Sequence, residues 1–173
     1  MTPLSHNPCD LSERYFELDQ EGYKHYEAKD YRSAIYRFNQ TLEQAKKIVG
    51  ATSFFTAGCY LDLGKAYLAN QDFQKADECF EQCRIIINDH NSEDKMMLMC
   101  KAAQCIATYI QHGLPEDLLI ELAEDINKAE TNTTRAEILE PVNHLSDGQA
   151  EEFNNAFDMA LGFVNEEHPF LDI

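Results

Sequence analysis

The chain has 173 residues with 44% apolar residues, 7 glycines and 5 prolines, a composition typical of a folded domain rather than of a disordered chain. Its 31 acidic and 14 basic residues give a formal net charge of -17. This charge repels phosphates and anionic headgroups, which argues against nucleic acid or membrane partners. Because residues 1–10 lack a basic start and an apolar run, and no stretch approaches ~18 apolar residues, we expect a soluble, cytoplasmic protein.

A short N-terminal tail, residues 1–12, precedes the first predicted helical hairpin at residues 13–48. In its first helix, Leu18, Gly22, His25 and Tyr26 recur at spacings of three and four. The same spacing resumes after a Lys29-Asp30 turn, at Ala34, Ile35, Phe38 and Leu42. Two amphipathic helices joined by a short turn are therefore expected.

The second predicted hairpin, residues 52–88, repeats the first at an offset of 42 residues. The equivalent positions are Gly22 and Gly64, Asp30 and Asp72, Tyr31 and Phe73, Ala34 and Ala76, and Phe38 and Phe80. A glycine inside a helix costs about 1 kcal/mol, so a compensating reason is required. We expect Gly22 and Gly64 to permit close approach of a neighbouring helix.

A third, degraded copy of the hairpin is predicted at residues 93–130. One further step of 42 places Tyr109 under Tyr67 and Leu122 under Phe80. His112-Gly113 is typical of a helix end, and Pro115 of a helix start. The pattern indicates three hairpins in register.

The remaining chain is predicted to be a linker with a short helix, residues 131–146, and a capping helix with a tail, residues 147–173. Apolar residues of this last helix share one face, at Phe153, Ala156, Phe157, Ala160, Leu161 and Val164. Such a helix can cap a repeat stack, fill its groove or dock on a partner, and capping is the leading interpretation.

These residues carry a resemblance to the tetratricopeptide repeat family. Leu63-Gly64, Tyr67, Asp72-Phe73, Ala76 and Phe80 stand where that family has its signature. The usual period of the family is 34 residues, so a period of 42 implies about two extra helical turns. The resemblance implies an all-α fold: an α-solenoid of three hairpins forming a right-handed superhelix, closed by the C-terminal amphipathic helix.

No pattern of metal-binding or catalytic residues stands out in the sequence. The cysteines and histidines lack the CxxC and HExxH spacings of strong metal sites. Cys79 and Cys83 lie four residues apart on a predicted helix, but Cys83 occupies a small-residue position and both are interpreted as inert, reduced thiols. His25 is interpreted as a hydrogen-bonded structural residue. We expect no enzyme activity, no cofactor and no metal, with an enzyme of dispersed acids and histidines as the remote alternative.

The resemblance implies a concave groove lined by the first helix of each hairpin. The outward residues expected there are Phe16, Asp19, Tyr23, Tyr26, Leu61, Lys65, Leu68, Ala103, Ala107 and Ile110. Family members that grip a carboxylate use Lys, Asn and Arg, whereas this chain has Asp19, Tyr23, Asp62, Cys100 and Gln104 at the matching positions. A mainly apolar groove favours a segment with hydrophobic anchors instead.

The leading hypothesis is a non-enzymatic adaptor or chaperone that holds an apolar or amphipathic segment of a partner protein in this groove. Two alternatives are a bacterial secretion-system chaperone and a peptide-sensing regulatory protein. A homodimer through Phe54 and Phe55 is a further alternative for the partner.

Overall fold

The computed structural model describes residues 8–89, 95–129 and 134–167, and every regular element among them is helical. The chain divides into two compact units, Met1–Asn91 and Ser92–Ile173. None of the described helices combines the length and the apolar character that crossing a membrane requires.

The first unit contains four helices in two antiparallel hairpins: α1 (Pro8–Glu27), α2 (Tyr31–Val49), α3 (Phe54–Ala69) and α4 (Phe73–Asp89). Each helix packs on the next along the chain. Helix α1 begins at Pro8, inside the segment predicted as an N-terminal tail. Short connections of three or four residues leave each helix beside its chain neighbour, which is the geometry expected of helical hairpins.

The turns within the two hairpins are built alike. Each has one non-glycine residue in the left-handed region, Lys29 (φ 58°) and Gln71 (φ 62°). The following amide then closes the helix end: the N–H of Asp30 donates to the carbonyl of His25, and that of Asp72 to the carbonyl of Tyr67, both at 2.9 Å. This closure satisfies carbonyls that have no partner within the helix.

The close approach predicted at the two glycines is present. A Cβ atom built on Gly22 would lie 2.5 Å from Cε1 of Phe38, and one built on Gly64 would lie 2.5 Å from Cε1 of Phe80. Both rings are almost fully buried. The second helix of each hairpin therefore inserts a phenylalanine into the space that the glycine leaves open.

The second unit contains α5 (Lys95–His112), α6 (Glu116–Lys128), α7 (Arg135–Ile138), a 3-10 turn (Glu140–His144) and α8 (Asp147–Glu167). Helix α5 contacts α6, α7 and the 3-10 turn, whereas α8 lies on α6 and the 3-10 turn. The buried face of α8 carries Phe153, Phe157, Ala160 and Val164. Ala156 and Leu161, expected on the same face, are half-buried.

Candidate functional site

The predicted groove residues of α1 differ widely in exposure. Phe16 is 58% exposed and Tyr23 is 37% exposed, while Asp19 between them is half-buried. Their spacing of three and four residues places them on one face of the helix. Tyr26, one turn further, is only 7% exposed and belongs to the core of the first unit. The accessible part of the predicted groove on α1 is therefore formed by Phe16, Asp19 and Tyr23.

The groove residues predicted on α3 and α5 are mostly buried. Leu61, Lys65 and Leu68 of α3 are each at most 8% exposed. On α5, Ala103 and Ala107 are at most 1% exposed and Ile110 is half-buried. With Tyr26, six of the ten residues expected to face outward are packed inside the fold. Their binding role stays a prediction. The predicted residues that are exposed or half-buried are Phe16, Asp19 and Tyr23 in the first unit and Ile110 in the second.

The sequence of α3 explains why its outward residues are buried. Asp62 and Lys65 are its only charged residues, and small or apolar side chains surround the rest of the helix. A helix that is apolar on all sides is buried on all sides. Helix α3 also packs on both α2 and α4. Lys65 keeps its ammonium 5.9 Å from the centre of the Tyr26 ring, where a cation is stabilised by the aromatic face.

Side chains from α1 and α3 meet to form what we call the α1–α3 face. Its members are Tyr15, Phe16, Asp19 and Tyr23 of α1 and Phe55, Cys59 and Asp62 of α3. The Tyr15 ring lies 4.6 Å from the Phe55 ring, and its hydroxyl oxygen lies 3.6 Å from Cys59 Sγ. Tyr23 is hydrogen-bonded to Asp62 and packs edge-on against Phe38. These contacts hold the tyrosines in fixed positions beside the exposed Phe16.

Burial and negative charge set the protonation of the α1–α3 face. Burial raises the pKa of both tyrosines far above the ordinary range, and the neighbouring Asp62 raises the pKa of Tyr23 further. Burial likewise raises the pKa of the Asp19 carboxyl. The tyrosines therefore stay neutral donors, while two carboxylates lie partly desolvated among aromatic rings. An incoming cation would find unusually favourable partners there.

Sequence reasoning found Phe16, Asp19 and Tyr23 but did not predict that Tyr15, Phe55 and Cys59 join them. Tyr15 is separated from Phe55 by 40 positions in the sequence, and nothing in the periodicity of α1 alone indicates that contact. Phe54 and Phe55, considered above for a homodimer, are 40% and 45% exposed. Phe55 in addition packs against Tyr15 within the chain.

The residues considered for metal binding or catalysis, Cys79, Cys83 and His25, are buried or form contacts within the chain. Cys79 and Cys83 are buried and form no disulfide bond, and burial raises the pKa of Cys79 to about 12. His25 Nδ1 lies 3.2 Å from a carboxylate oxygen of Asp30 at the turn of the first hairpin. Within the described ranges, no three His, Cys, Asp or Glu side chains come together in a way that could hold a metal ion.

The fold and its packing define a class: an all-helical protein built from repeated hairpins. Residues 22–85 match the family described as tetratricopeptide repeat. No curated protein matches the chain in sequence. The matched segment includes both glycine–phenylalanine pairs and both left-handed turns of the first unit. Residues 22–85 of the first unit are therefore similar to tetratricopeptide repeats. Tetratricopeptide repeats are protein–protein interaction modules, which is the function class that this fold supports.

Proposed function

We propose that the chain is a non-enzymatic adaptor or chaperone, acting in the cytoplasm, that binds an apolar or amphipathic segment of a partner protein on the α1–α3 face. The family match supports a role in protein binding. The observation that carries the location is the exposure of two aromatic rings, Phe16 and Tyr23, on one face of α1. Exposed aromatic side chains held by a rigid scaffold are typical anchors of protein interfaces.

The chemistry of the α1–α3 face defines the kind of segment it would accept. Phe16 and Phe55 offer apolar contact area, and burying one large apolar side chain against them is worth about 1.5–3 kcal/mol. Asp19 and Asp62 are acceptors for a Lys or Arg placed beside that anchor. A segment with a bulky apolar residue and a neighbouring basic residue would satisfy both halves of the surface.

Selection of peptides from a random library against the purified protein tests the proposal. We expect enrichment of sequences that combine aromatic or aliphatic anchors with Lys or Arg. Fluorescence anisotropy of a selected peptide should show binding that weakens roughly tenfold in a Phe16→Ser variant. Because Phe16 is 58% exposed, this change should leave the fold intact.

Tyr36→Ser supplies a matched control, since Tyr36 is 60% exposed and lies on α2, outside the α1–α3 face. This variant should bind the selected peptide as the unmodified protein does. Failure to enrich any peptide, or equal affinity for the Phe16→Ser and Tyr36→Ser variants, would refute binding on the α1–α3 face.

A further inference from the structure

A second accessible apolar surface lies in the second unit, in a groove between α6 and α8. The groove has a volume of about 310 Å³. Its α6 side includes Leu114, Glu116 and Leu119, and its α8 side includes Met159, Ala160 and Phe163. We call this surface the α6–α8 groove. All of its lining residues belong to one unit and lie outside the segment that matches the repeat family.

The groove exposes more apolar surface than packing of α8 requires. Met159 is 76% exposed, Phe163 is 50% exposed and Leu114 is 38% exposed. The contact of α8 with the rest of the unit is already made by Phe153, Phe157 and Val164, which are at most 4% exposed. The apolar arc of α8 is thus wider than the part that its own unit covers. Clustered exposed apolar side chains of this kind mark interaction sites.

The net charge of the second unit indicates the charge of the partner that the groove would bind. The second unit, residues 92–173, contains 17 acidic and 4 basic residues, whereas the first contains 14 and 10. All four bases are already paired with acids of the same unit: Lys95 with Glu137, Lys101 with Glu121 and Asp125, Lys128 with Glu124, and Arg135 with Asp158. The second unit therefore has a formal charge of -13, from 17 acids and 4 bases, and Glu116 lines the groove itself.

This charge argues against a second copy of the chain as the occupant, because two such units would bring like charges together. A basic partner would be attracted by the same field. Two helices of 13 and 21 residues border the groove, and a third helix is the element that fits between two others. The exposed Met159 adds an unbranched, adaptable contact of the kind used for amphipathic helices.

We propose that the α6–α8 groove binds a basic amphipathic helix of a partner protein, with apolar anchors directed at Met159 and Phe163 and Lys or Arg residues beside Glu116. This surface is independent of the α1–α3 face, because it rests on different residues in the other unit.

A synthetic helical peptide of about 18 residues, with leucines at helical spacing and lysines elsewhere, is the probe. Two comparison peptides have the same length: one has the same composition in scrambled order, and one has Glu in place of Lys. Binding is measured by calorimetry, and the site by NMR of labelled methionine methyl groups. We expect the Leu/Lys helix to bind and to shift the Met159 methyl signal, with both comparison peptides weaker by about tenfold or more.

Variants of the protein separate the two surfaces. Met159→Ser with Phe163→Ser should weaken binding of the Leu/Lys helix about tenfold or more, and Glu116→Gln a few-fold, because both remove contacts of the α6–α8 groove. Because the α1–α3 face also accepts apolar and basic side chains, the groove variants are compared in a Phe16→Ser background. The Met159 methyl shift should persist in Phe16→Ser alone. Circular dichroism verifies that each variant keeps its helix content.

Three results would overturn the proposal. The first is equal binding by the scrambled peptide, which would mean attraction by charge alone. The second is undiminished binding by the Met159→Ser, Phe163→Ser double variant. The third is a dimer in sedimentation velocity that this double variant abolishes, since the groove would then be filled by a second copy. None of these results bears on the α1–α3 face.

Discussion

In the first unit, the first helix of each hairpin contains a glycine, and a phenylalanine of the second helix fills the space beside it. These pairs are Gly22 with Phe38 and Gly64 with Phe80. One further step of 42 residues leads, in the second unit, to Ile106 and Leu122, which are also buried. Ile106 thus has a side chain where Gly64 has none, and Leu122 has a smaller side chain than Phe80. The residues of both arrangements are buried, although only the first keeps the family signature.

The family match ends at residue 85, before these changes of residue type. A repeat signature records particular residue types, whereas a buried position accepts different apolar residues if the surrounding side chains adjust. The third hairpin has Ile106 at the position of Gly64 and Leu122 at that of Phe80, and both are buried. Sequence similarity is therefore lost before the helical architecture is lost.

The largest expected effect comes from removing a ring of the first unit. Phe80→Ala should lower the free energy of unfolding by about 3–5 kcal/mol, because it leaves a cavity beside Gly64, where no side chain can collapse into the space. Phe163→Ala is the matched change in the second unit. Since Phe163 is 50% exposed, that variant should lose about 1 kcal/mol or less. Chemical denaturation measures both, and equal losses would contradict the assigned burial.

A smaller effect is expected from filling the glycine pocket. The methyl group of Gly64→Ala would meet Phe80 Cε1 at 2.5 Å and Cys79 Cβ at 3.2 Å. Overpacking costs about 1–3 kcal/mol and the gain in helix propensity returns about 1 kcal/mol, so a net loss is expected. Gly162→Ala, on α8, meets nothing within 4 Å. It should instead raise the melting temperature, and a rise for both variants would exclude the close contact at Gly64.

A double-mutant cycle at positions 64 and 80 tests whether the glycine and the phenylalanine depend on each other. Combining Gly64→Ala with Phe80→Leu moves this hairpin toward the arrangement of the third one, and the methyl group no longer meets a ring. The double variant should then lose less unfolding free energy than the sum of the losses of the two single variants. The expected coupling energy is on the order of 0.5–3 kcal/mol.

Gly162→Ala with Phe80→Leu is the control cycle. The built Cβ of Gly162 touches no heavy atom within 4 Å, so the effects of these two changes should add to within about 0.5 kcal/mol. Additivity in the Gly64 cycle as well would mean that glycine and phenylalanine do not compensate each other.

The features that sequence predicted are those set by local periodicity. The helical hairpins and the buried face of α8 at Phe153 and Phe157 follow from residues three and four positions apart. Such spacing determines the direction in which a side chain leaves its helix. It is independent of how distant parts of the chain are arranged. The tight contact at Gly22 and Gly64 follows from the cost of a glycine within a helix.

The exposure of the groove residues could not be predicted in this way. Leu61 and Leu68 were expected to face outward, yet they are buried, because direction on a helix does not tell what covers that side. The α6–α8 groove was missed for the converse reason. Met159 and Phe163 are plainly apolar, but only the structure tells that the buried contact of α8 ends beside them.

The smallest expected effect concerns acids that respond to pH in opposite directions in the two units. In the second unit, Glu137 closes a capping box with Thr134, and its Oε1 lies 2.5 Å from Lys95 Nζ. The hydrogen bond from Lys95 and those from Thr134 lower the pKa of Glu137 from 4.5 to about 2. In the first unit, burial raises the pKa of Asp19. The first carboxylate is stabilised by its surroundings and the second is penalised.

Linkage gives these two shifts opposite consequences for stability. The contribution of Glu137 is present above its unfolded pKa of 4.5 and is lost as the pH falls through about 2, whereas protonation in acid relieves the burial penalty of Asp19. Carboxyl NMR titration should show Glu137 titrating near 2 and Asp19 above its ordinary range. Glu137→Gln should make the free energy of unfolding depend less on pH between pH 4.5 and 2. Because Glu137 is half-exposed, added salt should reduce the difference between this variant and the unmodified protein. Asp19→Asn should change the pH dependence in the opposite sense; the same sense for both variants would mean that burial does not govern Asp19.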